Sequence, residues 1–193
     1  MSRRRLQMIA IVVTALPALA LAGRFAVEGP GANPIEEITH VTGEWGLRWL
    51  LISLAVTPAR NWLGWRWAVP LRRSLGLAGF SYSVVHLTTW AFLEHALELA
   101  AMAEDLTERP FVMAGMASFT LLSMLAVTST KGSMKRLGGR WIPLHRVIYT
   151  AAILAVLHHF WLIKANHLPA IVHAAALASL LGARLLWRAR EKT

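Results

Sequence analysis

PLHRVIYTAAILAVLHHFWLIK, residues 143–164, is an apolar stretch of membrane length with His145 at one end and His158 and His159 near the other. Ionisable side chains inside a bilayer are costly, so they are rare there and mark function. Histidine is a good ligand for haem iron, and the thirteen-residue step from His145 to His158 climbs about 20 Å along a helix. The stretch therefore reads as a membrane helix able to carry redox groups at more than one depth.

The rest of the composition fits that setting. Of 193 residues, 56% are hydrophobic, and the mean hydropathy is +0.49. That is too apolar for an ordinary soluble domain and suits one bundle of spans of about 20 apolar residues each. The chain has no cysteine, which excludes disulfides, thiolate haem ligation and iron–sulfur clusters. Metal chemistry must rest on the eight histidines and the few carboxylates. A net charge of +10 would suit nucleic acid, but the basic residues lie between apolar spans rather than in one stripe. Membrane lipid headgroups are the expected partner, and nucleic acid is not.

Six spans can be read, at residues 6–26, 45–59, 75–97, 111–128, 144–163 and 168–187. The second is short and holds Arg48 in its first turn. Gly29-Pro30-Gly31, Pro58, Pro70, Pro110, Gly138-Gly139 and Pro169 are read as the breakers between them. No Rossmann glycine pattern or phosphate loop is present, so no dinucleotide site is encoded. With the N-terminus inside, sixteen of the twenty Lys and Arg fall on the cytoplasmic side. Only Arg24, Arg48, Arg109 and Lys164 fall outside, a strong positive-inside signal. Every acid but Glu191 lies on the outer side, within residues 28–44 and 94–108. The expected fold is an all-α integral membrane protein, a six-helix transmembrane bundle with both termini cytoplasmic and residues 1–193 as a single domain. Arg3-Arg4-Arg5 before an apolar run ending in Ala18-Leu19-Ala20 has a secretory or twin-arginine signal as its alternative reading. An uncleaved first helix completes the six-span count. Tryptophans 45, 49, 62, 65, 67, 141, 161 and 187 fall near the span ends and read as an interfacial belt.

Depth sorts the histidines. His86 lies about 17 Å into the third span and His158 about 21 Å into the fifth, counting 1.5 Å per residue. Two parallel helices thus present a histidine each at one height, which suits a haem b clamped in the outer half of the bilayer. Gly79 and Ala151, two turns before them, would admit a flat macrocycle, but they equally suit plain helix packing. His145 sits at the cytoplasmic end, where the third span offers Arg72, Arg73 and Ser74 and no histidine. It is a candidate to bond a quinone carbonyl or a flavin, with Arg72 and Arg73 as charge partners for a phosphate, a propionate or a reduced quinone; ordinary positive-inside anchoring is the plainer role for both arginines. On a straight helix His159, rather than His158, returns to the face of His145, unless the two sites face different neighbours or a bulge shifts the register. His40 in the outer loop NPIEEITHVTGEWG, residues 33–46, reads as surface, and His95 and His167 as solvated. His173 is shallow in the sixth span and a candidate to line the outer pocket. Arg48 is either a propionate partner or a snorkelling side chain.

NPIEEITHVTGEWGLRWLLISLAVTPAR, RRSLGLAGFSYSVVHLTTW and LAVTSTKGSMKRLGGRWIPLHRVIYTAAILAVLHHFWLIK, in that order, resemble the MsrQ (YedZ) family, part of the ferric-reductase-like transmembrane group that includes the NADPH oxidases. The resemblance covers nearly the whole chain. It implies a haem-binding subunit in the bacterial inner membrane. Electrons would pass from the quinol pool, or from a cytosolic flavin reductase, through haem b to a periplasmic molybdopterin subunit, MsrP, that repairs oxidised methionine. The family's functional histidines fall on His86, His145 and His158, with the haem iron expected on His86 and His158. FMN is also implied by the family and by nothing else in the sequence. Compared with the two-haem oxidases, the third span lacks one histidine, which leaves the inner site to a quinone, a flavin or an unusually ligated haem. The sequence also leaves room for a stand-alone ferric or quinone reductase and for a non-redox membrane anchor with packed histidines.

Overall fold

The computed structural model describes residues 2–162 and 167–191. The end of the expected fifth span at residue 163, together with Lys164 and Lys192 of the charge pattern, lies outside the described residues. Among those described there is no strand. The helices are α1 (Arg3–Glu28), α2 (Pro34–Leu63), α3 (Leu71–Thr88), α4 (Leu99–Glu108), α5 (Pro110–Val127), α6 (Lys131–Leu137), α7 (Trp141–His145), α8 (Ile148–Leu162) and α9 (Leu168–Arg190). A π-helical segment, Thr89–Glu94, prolongs α3.

The expected outer loop at 33–46 is instead the beginning of α2, which runs for 30 residues. Asn33 starts it: its side-chain oxygen accepts from Glu36 N at 3.3 Å, and its amide donates to Glu36 Oε2 at 2.8 Å. Pro34 then fits the first helical position, where no N–H is needed, and Glu36 and Glu37 favour the positive end of the helix. Pro58, read as a breaker, lies inside α2; proline is tolerated in membrane helices where neighbours re-satisfy the backbone.

Two compact units emerge. The first comprises Met1–Val56 and Trp65–Glu104. Here α2 and α3 cross at glycines: a Cβ on Gly79 would stand 3.0 Å from Gly46 O and 3.1 Å from Leu50 N. Gly79 therefore serves close helix packing, the plainer of its two readings. Ser53 Oγ donates to Arg72 O at 2.9 Å beside this crossing. Trp49 corrects the belt reading, since only 6% of it is exposed and it packs with Val56, Ala68, Leu75 and Tyr82. Its position seven residues before Val56 puts both on the inward stripe of α2. Tyr82 reaches across to α1, donating to Thr14 O at 2.9 Å and accepting from Ala18 N at 3.1 Å.

The second unit comprises Thr57–Gly64 and Asp105–Thr193. Its α5 packs along α8, and Ser118 Oγ donates to Ala151 O at 2.8 Å. Ala151 is fully buried, so this small residue, too, serves helix contact. The expected fifth span is not one straight helix: the segment through α7 and α8 bends by 46° at the break between them. Trp62 Nε1 donates to Ala183 O at 3.2 Å, and the Trp62 and Trp187 rings meet edge to face.

By length and composition α1, α5 and α9 can cross a membrane, and the bent segment leading into α8 makes a fourth candidate. The more polar α2 and α3 fall short of that measure. In α2 the polar Thr42 and Ser53 are buried, where protein rather than lipid surrounds them.

Candidate functional site

His86 is near the end of α3, half-buried, with Nδ1 2.9 Å from Thr39 O in the second turn of α2. A carbonyl only accepts, so Nδ1 carries the proton and Nε2 presents its lone pair. Gly43, one turn past Thr39, lies against the ring: a Cβ there would be 3.0 Å from both Nδ1 and Cε1.

The second unit repeats the arrangement. His158 on α8 places Nδ1 2.7 Å from Phe111 O, at the start of α5. Gly115, again four residues on, would bring a Cβ to 2.8 Å from Nδ1 and 3.0 Å from Cε1. In each unit a single imidazole is thus fixed in one tautomer by a neighbouring helix carbonyl. That is the usual way in which a protein orients a histidine to bind metal through the other nitrogen.

His145 is held differently. Its Nε2 is 3.1 Å from Thr128 Oγ1 at the end of α5, and its ring stacks on Trp141 at 3.9 Å. The Thr128 hydroxyl has Met124 O at 2.7 Å to donate to, so it accepts from His145 Nε2–H. Trp141 Nε1 donates to Thr128 O at 2.9 Å, closing a joint between α7 and α5. In this arrangement the Nε2 of His145 points at a hydroxyl.

The doublet separates. His159 turns to α9 and meets His173 edge to face at 5.0 Å, while His173 Nδ1 donates to Pro169 O at 2.7 Å. The face-matching of His145 with His159 presumed a straight helix, and the break before Ile148 removes that premise. Arg48 pairs with Glu44 at 2.7 Å and lies over the Trp45 ring. Arg72 and Arg73 are exposed in the first turn of α3. His40 is exposed as expected, though on a helix, and Phe160 neighbours the exposed His167. His95, half-buried, meets the Trp90 ring edge to face at 4.7 Å.

Among the described residues no three of His, Cys, Asp and Glu gather closely enough to hold a bare metal ion. A metal that brings its own equatorial ligands needs only one or two protein donors. Haem iron, with four porphyrin nitrogens, is such a metal. Lone histidines with oriented Nε2 atoms fit that group and suit a bare ion poorly. The residues missed from sequence are Thr39, Gly43, Phe111 and Gly115. The carbonyls leave no trace in a sequence, whereas an isolated glycine in a helical run marks a packing demand.

The family model described as the ferric reductase like transmembrane component matches residues 42–156. A Rhodospirillum rubrum protein is 43% identical over 192 residues, covering 98% of this chain and 92% of its own length. A Deinococcus radiodurans protein is 44% identical over 176 residues, 91% of this chain and 87% of its own. One from Azospira oryzae is 42% identical over 181 residues, 93% and 78% of the two chains. All three are called protein-methionine-sulfoxide reductase heme-binding subunit MsrQ. This chain belongs to the MsrQ family, within the ferric-reductase-like transmembrane proteins.

Proposed function

We propose that the chain is the haem b subunit of a methionine-sulfoxide reductase system in the bacterial inner membrane, passing electrons to a periplasmic molybdopterin partner of the MsrP type. The observation that carries this reading is the shared setting of His86 and His158, each with Nδ1–H on the carbonyl of a neighbouring helix. Bound haem supplies one-electron storage at a potential that its ligands and apolar shell tune. His86 and His158 are the proposed iron ligands. Their pairing on one haem rests on the similar depths read from the sequence, about 17 and 21 Å along straight spans. Thr39 and Phe111 hold the tautomers, and the apolar helices exclude water.

The architecture proposed for residues 1–193 is one domain of six crossings with both termini cytoplasmic, α2 and α3 supplying the second and third. Electrons then enter from the cytoplasmic side, from the quinol pool or a cytosolic flavin reductase, with quinone or FMN as the input cofactor. Residues 111–190 contain no Asp or Glu while Lys131, Lys135, Arg136, Arg140 and Arg146 crowd that side. Such a field favours an anionic headgroup or phosphate there. His145, with its Nε2 on Thr128, is assigned to the α5–α7 joint ahead of the input cofactor. The acidic outer face steers a basic patch on the partner, so electron delivery slows as salt rises.

The deciding experiment is an optical spectrum of the purified protein. A Soret band is expected, with haem content falling sharply in both His86→Ala and His158→Ala. Protein without the band would leave a non-redox membrane anchor as the better reading, and a band unchanged in both variants would put the haem on other ligands. A haem protein that reduces ferric or quinone substrates but never an MsrP-type partner would be a stand-alone reductase.

A further inference from the structure

The two candidate ligands share more than a tautomer. Each imidazole bonds the carbonyl of a residue on a neighbouring helix, and four residues later that helix carries a glycine pressed against the ring. In one case the pair is Thr39 and Gly43, in the other Phe111 and Gly115. The spacing has a physical cause. A helical side chain leans toward the N-terminus and covers the surface over the preceding turn. The residue at position i+4 therefore shields the outward lone pair of carbonyl i, which already accepts the helical N–H of that same residue. With no side chain at i+4, the bulky imidazole of a second helix can press close and use the second lone pair. Glycine inside a helix costs roughly 1 kcal/mol against alanine, so a glycine at both positions calls for a compensating reason.

We infer that Gly43 and Gly115 are positioning residues, each the seat on which one haem-ligating imidazole is aimed at the iron. The inference rests on the haem reading above and adds to it the residues that set ligand geometry. An alanine at either seat brings a methyl against the ring, 3.0 Å from Nδ1 of His86 or 2.8 Å from Nδ1 of His158. The His158 ring has to shift and the His86 ring has to give by a few tenths of an ångström, and either move disturbs the Nδ1 bond and the orientation of Nε2 with it. The closer approach makes Gly115 the more sensitive seat.

The test compares purified full-length Gly43→Ala and Gly115→Ala with wild type by haem-to-protein ratio, the low-spin ferric electron paramagnetic resonance signal and the midpoint potential. Gly23→Ala serves as control, because a Cβ there meets nothing within 4 Å. Haem affinity should fall by roughly 10–100-fold in the seat variants, the range seen when the group orienting a metal-bound histidine is disturbed. The haem that remains should show an altered low-spin signal and a shifted potential, while Gly23→Ala keeps both. A second arm removes the clash. In His158→Gly, added imidazole should restore the low-spin spectrum, and in His158→Gly, Gly115→Ala it should need roughly tenfold more. This arm and Gly43→Ala decide the matter if Gly115→Ala does not accumulate. Wild-type occupancy, signal and potential in the seat variants, or equal imidazole dependence in the two glycine-background variants, overturns the seats alone. A wild type without haem overturns the underlying reading and the seats together.

Discussion

His145 and His158 stand on the same apolar stretch and are bonded through opposite nitrogens. His158 spends Nδ1 on the Phe111 carbonyl, whereas His145 spends Nε2 on the Thr128 hydroxyl. The second of these bonds joins α7 to the end of α5. His145→Ala should therefore keep the haem held by His86 and His158, with a loss of stability of about 0.5–1.5 kcal/mol for the missing hydrogen bond. Thr128→Val should lose a similar amount. Haem content and thermal unfolding of the two variants check this, and complete haem loss in His145→Ala would refute it. The histidines themselves stood out in the sequence because ionisable groups contrast with an apolar run. Their bonding did not, because the acceptors are backbone carbonyls on helices far away in the chain.

At the level of elements, α1 illustrates how a polar side chain from a neighbour supports a helix at a proline. Ala18 N–H would ordinarily bond Thr14 O four residues back, next to Pro17. The Tyr82 hydroxyl of α3 bridges the two, accepting from one and donating to the other. A neighbouring side chain placed in this way supplies partners to the backbone beside a proline. Tyr82→Phe should remove the bridge and destabilise the protein by about 1–3 kcal/mol, the cost of buried groups left unsatisfied. A thermal unfolding midpoint equal to wild type would show that α1 closes its own hydrogen bond. The apolar cores of the six expected spans all fall on helices, because hydrophobic runs of that length have few other solutions. Their limits were harder to read. The Asn33-Pro34 start of α2 was hidden behind three acids and a histidine, which resemble a loop by composition. The bend before Ile148 and the π segment after Thr88 depend on packing, and Pro58 ended no helix.

For the whole molecule, charge is the property the sequence states most clearly. The cations between Lys131 and Arg146 and the acids between residues 94 and 108 lie on either side of α5, a helix with mean hydropathy 1.8. If α5 crosses the bilayer, these two segments face opposite compartments, and the positive-inside bias puts the basic one in the cytoplasm. The native chain has no cysteine, so single cysteines can report each segment on a silent background. Seven sites sample the connections: Ser2, Gly31, Arg66, Glu98, Gly139, His167 and Glu191, all exposed. Gly139 is also a position where a Cβ meets nothing within 4 Å. With six crossings, a membrane-impermeant thiol reagent added to spheroplasts should label Gly31→Cys, Glu98→Cys and His167→Cys. Ser2→Cys, Arg66→Cys, Gly139→Cys and Glu191→Cys should react only in inverted vesicles. Labelling of Gly31→Cys, Arg66→Cys and Glu98→Cys from one side would mean that α2 and α3 do not cross, leaving the four spans that composition alone supports. Labelling of Ser2→Cys and Glu191→Cys from opposite sides would require an odd number of crossings and exclude the six-helix arrangement. The complete reversal of the pattern would set the basic face outside, against the bias that sixteen of twenty cations impose.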